Sequence, residues 1–258
     1  MKKYFVFTSF LLTFTFINLT ASAQSLASIS YNDPLCFGVP SGNATVTINQ
    51  TIPSYAEIKL FWQSSSGFWV NLGNSYSNSP SYILTHPFPN LVAGDYRIDV
   101  MDSLGVLIDN STFTLVDPPA ISVIESTTDV SCNAGTNGTA TLTLSGGTGI
   151  LNVNWFGMDP NALPAGTHNY EITDDNGCTY SDNIIITEPN AISVFPTTTN
   201  VSCNGGTDGT AVLNENGGTG NLSVDWFVMD PNALPTGTHN YEITDDNGCT
   251  YSDNIIIT

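Results

Sequence analysis

The sequence predicts an all-β protein made of tandem, immunoglobulin-like antiparallel β-sandwich domains. Three observations indicate this fold: apolar and polar residues alternate over short segments, turns rich in glycine and asparagine separate the segments, and the pattern recurs along the chain. In TATLTLSGG, Ala140, Leu142 and Leu144 alternate with threonines, which is typical of a half-buried strand. No segment has the period of an ordinary helix, so short strands in units of about 70 residues favour a small sandwich.

An internal repeat divides the chain. Cys132 matches Cys203 and Cys178 matches Cys249, each at an offset of 71 positions. A longer, divergent unit upstream keeps the same order of landmarks, with its extra residues around positions 54–90. We therefore predict a first repeat over residues 24–118, a second over 119–189 and a third over 190–258, with the short proline-containing linkers DPPA and EPNA between them.

Residues 1–23 have the features of a secretory signal peptide. Lys2 and Lys3 precede an apolar run, and Ala21-Ser22-Ala23 offers small residues before Gln24. We expect the mature chain to be secreted or held at the cell surface. Direct membrane insertion is not expected, since no later segment approaches the roughly 18 uninterrupted apolar residues of a membrane span.

The charge of the chain excludes nucleic acid as a partner. Four basic residues stand against 23 acidic ones, for a net charge of −19. Phosphate binding depends on clustered lysine and arginine, which this chain lacks. We expect its partners to be glycan or protein targets on an extracellular surface, together with neighbouring repeats of the same chain.

The segment TDDNGCTYSDNIII, which occurs in both later repeats, predicts a hairpin with a three-residue loop of Asp175, Asn176 and Gly177. A two-residue loop would set apolar residues opposite polar ones, whereas the three-residue loop places Ile172 opposite Tyr180. Glycine at the third loop position suits the left-handed conformation that such a turn requires. In this register Cys178 faces the core.

The cysteines predict disulfides within each repeat, Cys132 to Cys178 and Cys203 to Cys249. A bridge that closes such a loop contributes roughly 3 to 4 kcal/mol in the loop-entropy model, and a small exported domain benefits from one. A reduced core pair is the alternative, since spacing does not prove connectivity. Cys36 has no equivalent partner because Val106 holds the matching position, so we expect a buried thiol, with an intermolecular disulfide as the alternative.

The acidic residues of the hairpin leave two hypotheses open, a solvated turn and a calcium site. The EF-hand template fails, because Ile172 and Asn183 occupy its first and last ligand positions. A looser calcium site remains a hypothesis in each later repeat, and otherwise no cofactor is expected. Its ligands would be Asp174, Asp175 and Asp182 in the second repeat and Asp245, Asp246 and Asp253 in the third.

No constellation of catalytic residues is apparent, so we predict that the chain is not an enzyme. Asp174 and Asp175 are adjacent in sequence, which is poor geometry for a cooperating pair of carboxylates. The three histidines are expected to be structural. Aromatic residues are concentrated in the first repeat, where core packing is favoured for most of them and stacking of a carbohydrate on Trp62 or Trp69 is the alternative.

The segment TTTNVSCNGGTDGTAVLNENGGTG, followed by LPTGTHNYEITDDNGCTYSDNIIIT, closely resembles the SprB repeat. This repeat occurs in tandem in large surface adhesins of gliding bacteria of the Bacteroidetes group. The resemblance covers residues 121–258, and the first repeat matches only in outline. The second repeat departs from the family pattern at Trp155-Phe156 and Met158-Asp159-Pro160, where a W-S-N-G-A-T type of segment is expected. The resemblance implies a non-enzymatic adhesin-type repeat protein, exported in many relatives by the type IX pathway and linked to gliding motility.

Three functions are therefore carried forward as hypotheses. The first is an adhesion array or spacer at the cell surface, and the second is a spacer in an exported enzyme whose catalytic domain lies elsewhere. The third is a carbohydrate-binding module in the first repeat. We also expect the sequence to be part of a longer array.

Overall fold

The computed structural model describes residues 28–48, 56–77, 84–102 and 104–258, so the predicted signal peptide lies outside the described residues. Every strand pair in this part of the chain is antiparallel, and its secondary structure consists of strands and turns. The all-β fold prediction is confirmed. Nowhere in the described ranges is there a helix of the length and apolar character needed to cross a membrane.

The chain divides into two compact units. The N-terminal unit extends to Asp117, apart from the short segment Leu35–Phe37. That segment belongs to the C-terminal unit, which otherwise consists of Pro118–Thr258 and so contains the second and third repeats.

Seven strands form the N-terminal unit: β1 (Ser28–Asn32), β2 (Gly42–Ile48), β3 (Ala56–Gln63), β4 (Trp69–Ser77), β5 (Leu84–Leu91), β6 (Gly94–Met101) and β7 (Leu107–Leu115). One sheet has the order β1-β2-β5 and the other the order β4-β3-β6-β7. Residues that alternate along the strands fill the space between the sheets, including Val46, Leu60, Ile98 and Phe113. The period of two seen in the sequence therefore corresponds to burial on one face of each sheet.

The second repeat contains β8 (Ser122–Thr128), β9 (Thr139–Ser145), β10 (Asn152–Asn154), β11 (Gly166–Thr173) and β12 (Thr179–Ile186). The third contains β13 (Ser193–Thr199), β14 (Thr210–Asn216), β15 (Ser223–Asp225), β16 (Gly237–Thr244) and β17 (Thr250–Ile257). In each repeat a two-stranded sheet accompanies a three-stranded one. Each repeat also has its own hydrophobic core.

The later repeats are shortened versions of the first. Strand β10 pairs with β11 as β3 pairs with β6. In the first repeat β5 pairs with β2 over most of its length. The second repeat has only one bridge in this place, between Gly138 and Leu163, which corresponds to the pair Gly42 and Leu91 of the first. The extra residues expected around positions 54–90 thus build β4 and most of β5.

Each repeat fixes the start of one central strand with a side chain that bonds four residues back. Tyr96 donates its hydroxyl to the carbonyl of Val92 at 2.7 Å, an arrangement known from immunoglobulin-like sandwiches. His168 holds the equivalent position and contacts the carbonyl of Pro164 through Nε2 at 2.8 Å, as His239 does with Pro235. Because a carbonyl only accepts, Nε2 must carry the proton. These two histidines have the structural role expected of them.

The loop after Trp226 places a β-branched residue in an unfavourable backbone conformation. Val228 has a φ of 73° and is fully exposed, whereas the second repeat has Gly157 with a φ of 87° at the same position. A left-handed conformation costs a residue with a Cβ roughly 1 to 2 kcal/mol.

We expect Val228→Gly to stabilise the third repeat by about 1 kcal/mol, since relief of the left-handed conformation exceeds the added entropy of the unfolded glycine. Gly157→Val should destabilise the second repeat by a comparable amount. Urea unfolding of the two variants and the parent chain checks both. If Val228→Gly did not stabilise the chain, or Gly157→Val did not destabilise it, the left-handed backbone conformation at this position would be contradicted.

Candidate functional site: the acidic turn and the repeat junction

The hairpin that carries the acidic residues has the predicted register. Ile172 pairs with Tyr180, and the backbone N–H of Asp174 donates to the carbonyl of Cys178 at 3.0 Å. This closes a loop of Asp175, Asn176 and Gly177, in which the N–H of Gly177 bonds the carbonyl of Asp174. Gly177 adopts a φ of 81°, which explains the requirement for glycine. The sequence prediction of a three-residue loop is confirmed.

Asp174 organises this turn from inside the protein, since only 4% of it is exposed. Its Oδ1 accepts the backbone N–H groups of Asn176 and Cys178 at 2.9 Å, and its Oδ2 accepts that of Thr148 at 2.9 Å. Thr148 belongs to the glycine-rich turn after β9. The carboxylate therefore fastens the hairpin to a second turn that is distant in sequence.

Asp175 strengthens the same connection from the outside. Its Oδ2 accepts the N–H of Ile150 at 3.0 Å, and its own N–H donates to the carbonyl of Thr148 at 3.0 Å. A Cβ on Gly149 would come within 2.0 Å of this carboxylate, so the contact depends on glycine there. The adjacent carboxylates thus share one structural task.

The turn is built in the same way in all three repeats. Asp245 accepts the N–H groups of Asn247, Cys249 and Thr219 in the third repeat. In the first, Asp102 accepts those of Leu104 and Val106. Asp102 does this without a second aspartate and without the cysteine. The first carboxylate is therefore part of the turn itself.

The environment of Asp174 lowers the pKa of its carboxyl group below the ordinary value of 3.8. Burial favours the neutral form, but the N–H groups of Cys178, Thr148, Asn176 and Gly177 together outweigh it. The same opposition lowers the pKa of Asp245. Both groups are charged in the folded protein at neutral pH, with their charge met by backbone dipoles.

The proposed calcium ligands do not converge. Asp182 lies within β12, where it accepts the hydroxyl of Tyr180 at 3.0 Å, away from the loop that holds Asp174 and Asp175. Asp253 makes the equivalent contact with Tyr251. Across the residues that the structure describes, no group of three His, Cys, Asp or Glu side chains is placed to hold a metal ion. Calcium binding remains a prediction that this geometry does not favour.

The predicted pairing of the cysteines is wrong. The structure joins Cys36 to Cys178 and Cys132 to Cys249, with Cα atoms 5.5 Å apart in both pairs. Cys203 is a free, exposed thiol. The expectation that Cys36 is an unpaired buried thiol is therefore also wrong, and every disulfide among the described residues joins one repeat of the sequence to the next.

The length of a strand explains the error. Cys178 immediately precedes β12, whereas the loop of Cys132 bonds the residue that follows β12, since the N–H of Val130 donates to the carbonyl of Thr187. Eight residues of strand at about 3.4 Å per residue put roughly 27 Å between these two ends. A disulfide spans only about 6 Å between Cα atoms. Alternation of side chains correctly placed Ile172, Ile184 and Ile186 in the core. Cys178, which was also expected to face the core, is instead half-buried and bonded to another repeat, because alternation does not report the end of the sandwich at which a residue lies.

The junction around each disulfide has the same second contact. Asn247 donates its side-chain amide to the carbonyl of Ser131, the residue before Cys132, at 3.0 Å. Asn176 donates to the carbonyl of Leu35, the residue before Cys36, at 3.1 Å. The Asn-Gly-Cys part of the turn thus docks on a cysteine loop through one covalent bond and one hydrogen bond.

Between the second and third repeats the docked turn leaves a cleft of about 370 Å³. Its walls come from the loop of Cys132, the linker after Pro189 and the start of β17. The linker is also held by the cysteine loop, because Asn133 donates its side-chain amide to the carbonyl of Pro189 at 3.1 Å. The cleft is therefore part of a joint between neighbouring repeats.

The count of cysteines could have suggested this staggered arrangement. Each of the three repeats has a loop cysteine, at positions 36, 132 and 203, but only the later two have a turn cysteine. Pairing within repeats leaves the first loop cysteine over. Pairing of each loop cysteine with the turn cysteine of the following repeat gives Cys36 a partner and leaves Cys203 unpaired.

The tryptophans proposed for carbohydrate binding have different surroundings. Trp62 packs against the core of the N-terminal unit, and its indole nitrogen is buried without a hydrogen-bond partner. Trp69 is half-buried, with the guanidinium of Arg97 5.1 Å from the centre of its ring. Arg97 also lies over Phe61 and is paired with Asp99. Trp62 is partly buried against the core, and one face of Trp69 is covered by an arginine.

Comparison with known families supports the resemblance seen in the sequence. A family model described as SprB repeat matches residues 124–150 and 196–226, which lie in equivalent parts of two repeats. Both matches are consistent with the SprB-repeat family. This is a non-catalytic repeat family, and together with the disulfides it is consistent with an extracellular or surface protein.

Comparison with the curated proteins finds no significant match. Among solved structures, the chain is similar to a beta-glucuronidase from glycoside hydrolase family 2, at 12% sequence identity and a TM-score of 0.22. That similarity covers 92% of this chain and 21% of the other, so the chain spans about a fifth of that enzyme. At this TM-score the likeness carries no argument about function.

We expect Asp174→Asn combined with Asp245→Asn to lower the Tm of the chain by about 5 °C at pH 7, since an amide presents a donor to a backbone N–H. A carboxylate with a lowered pKa stabilises the fold above its unfolded pKa, and this contribution is lost as pH falls below about 4. The double variant should therefore lose less stability between pH 5 and pH 2 than the parent.

Thermal unfolding across this pH range measures both effects. Asp182→Asn combined with Asp253→Asn is the matched control, because these carboxylates lie outside the turn. A double variant at Asp174 and Asp245 with the same pH profile as the parent would show that the turn carboxylates do not carry the acid sensitivity.

We expect calcium to leave the Tm of the chain unchanged within about 1 °C at millimolar concentration, because a ligand that binds only the folded form must raise it. The oxygens of Asp174 already accept three N–H groups, which a bound cation would displace. Magnesium at the same ionic strength is the control for screening. A rise specific to calcium, and lost in Asp174→Asn, would restore the metal site.

Proposed function

We propose that this chain is a non-enzymatic spacer in an exported surface protein, and that its disulfides limit how far it extends under tension. The staggered pairing of the cysteines carries this proposal. A spacer that holds an adhesive region away from a cell must transmit force without lengthening greatly. Disulfides between repeats serve that purpose, whereas disulfides within repeats serve it less well.

The two disulfides close loops that overlap. One loop extends from Cys36 to Cys178 and the other from Cys132 to Cys249. A pulled chain is limited by its shortest covalent path, which enters at Cys36, crosses to Cys178, returns to Cys132 and crosses to Cys249. That path contains the 46 residue steps from 132 to 178, in place of the 213 steps from 36 to 249. Even complete unfolding would therefore release little length.

An exported location supports the same function. Disulfides form and persist in oxidising compartments, the first residues have the pattern of a signal peptide, and SprB repeats suggest a cell-surface repeat protein. The strongly acidic surface suits a chain that stays soluble through self-repulsion. Its adhesive targets would be glycans or proteins, bound by this or by other parts of the protein.

We expect single-molecule pulling to extend the segment between residues 36 and 249 to no more than about 160 Å while the disulfides are intact, at about 3.5 Å per residue. After reduction with dithiothreitol the same segment should reach about 750 Å. Atomic force microscopy of the full chain, held by tags at both ends, measures this difference. An extension that reduction does not change would overturn the spacer role proposed here.

Single variants make the test quantitative. In Cys249→Ser the shortest covalent path between residues 36 and 249 should contain 71 residue steps, which extend to about 250 Å. In Cys36→Ser it should contain 96 steps, which extend to about 340 Å. Cys203→Ser is the matched control and should leave the parent value unchanged. The pairing within repeats would instead allow 121 steps, about 420 Å, in the parent chain.

A further inference from the structure

The third repeat has a cysteine loop whose partner is absent from the described chain. Cys203 lies at the position of Cys36 and Cys132, which are both joined to an Asn-Gly-Cys turn, and it is exposed as a free thiol. Both turn cysteines are already used. The loop of Cys203 therefore holds the same position in its repeat as two loops that are each bonded to a turn, and its own thiol is free among the described residues.

This loop keeps the shape of the occupied one. The N–H of Gly206 donates to the carbonyl of Cys203 at 2.8 Å, as Gly135 does to Cys132 at 3.0 Å. The N–H of Ser202 is held by the carboxylate of Asp208 at 3.0 Å, in place of the amide of Asn137 that holds Ser131. The disulfide is therefore not needed to form the loop, and a site that is already ordered loses less entropy on binding.

We propose that the loop of Cys203 is a docking site for the acidic hairpin turn of a further SprB-type repeat on its C-terminal side. The partner is identified by its chemistry, an Asp-x-Asn-Gly-Cys turn. Its cysteine would bond Cys203, and its asparagine amide would donate to the carbonyl of Ser202. These contacts reproduce those of Cys249 and Asn247 with the loop of Cys132.

The direction of the pairing follows from the two existing junctions. In each of them the loop cysteine comes from one repeat and the turn cysteine from the repeat that follows. Such an interface is heterologous, so it does not close on itself and passes from repeat to repeat. The turn at Asp102 has Val106 in place of cysteine and cannot act as this partner.

The covalent step is a two-electron oxidation. The thiol of Cys203 and the turn thiol lose two protons and two electrons as the S–S bond forms, and a disulfide oxidant such as oxidised glutathione takes them up to give two thiols. The exposed position of Cys203 allows this exchange.

The test extends the full chain by one period, with a second copy of residues 188–258 fused after Thr258. After refolding with oxidised and reduced glutathione, non-reducing peptide mapping should find Cys203 joined to the added copy of Cys249. Alkylation of Cys203 by iodoacetamide should be complete in the parent chain and at least about tenfold lower in the extended one. The added copy of Cys203 should then be the free thiol.

The matched control replaces the added copy of Cys249 with serine, which should leave Cys203 fully reactive. Free Cys203 in the extended chain, a bond between two Cys203 residues of separate molecules, or a bond within the third repeat would each overturn the proposal. The test is independent of the spacer role, since the added junction can form even if the chain never bears tension.

Discussion

The separation between the two ends of an eight-residue strand governs this molecule. Because Cys178 lies before β12 and the loop of Cys132 contacts the residue after it, the two cysteines of one repeat cannot meet. Each must find its partner in a neighbouring repeat. Cysteines at opposite ends of one small sandwich can form disulfides only with other sandwiches. The covalent framework therefore depends on the order of repeats along the chain.

The acidic turn contributes to this framework through rigidity. Asp174 fixes the hairpin loop and the glycine-rich turn beside it by accepting three backbone N–H groups, and Asp175 adds a fourth contact. The cysteine at the end of the loop is therefore presented from a defined position. Preorganisation of this kind reduces the entropy lost when two repeats dock, so the buried carboxylate of the turn also serves assembly.

Sequence reasoning succeeded where the relevant physics is local. The opposition of Ile172 and Tyr180 followed from the alternation of apolar residues and from the glycine at the third loop position. It failed for Cys178, because the face of a strand is a matter of parity, whereas the end of a strand requires the lengths of several elements together. The reduction of β5 to the bridge between Gly138 and Leu163 was equally hidden, since a single bridge leaves no pattern in the sequence.

Pairing between repeats also changes how stability is distributed. In the loop-entropy model a bridge contributes more as its loop lengthens, and loops of 142 and 117 residues are worth about 4 to 5 kcal/mol each, less any strain. The bridge within one repeat would have stabilised that repeat alone. A bridge across a junction makes the unfolding of one sandwich constrain its neighbour, so an array whose repeats each have a small core gains cooperativity that nearest-neighbour packing alone would not supply. The free thiol of Cys203 marks the point where that coupling stops in this chain.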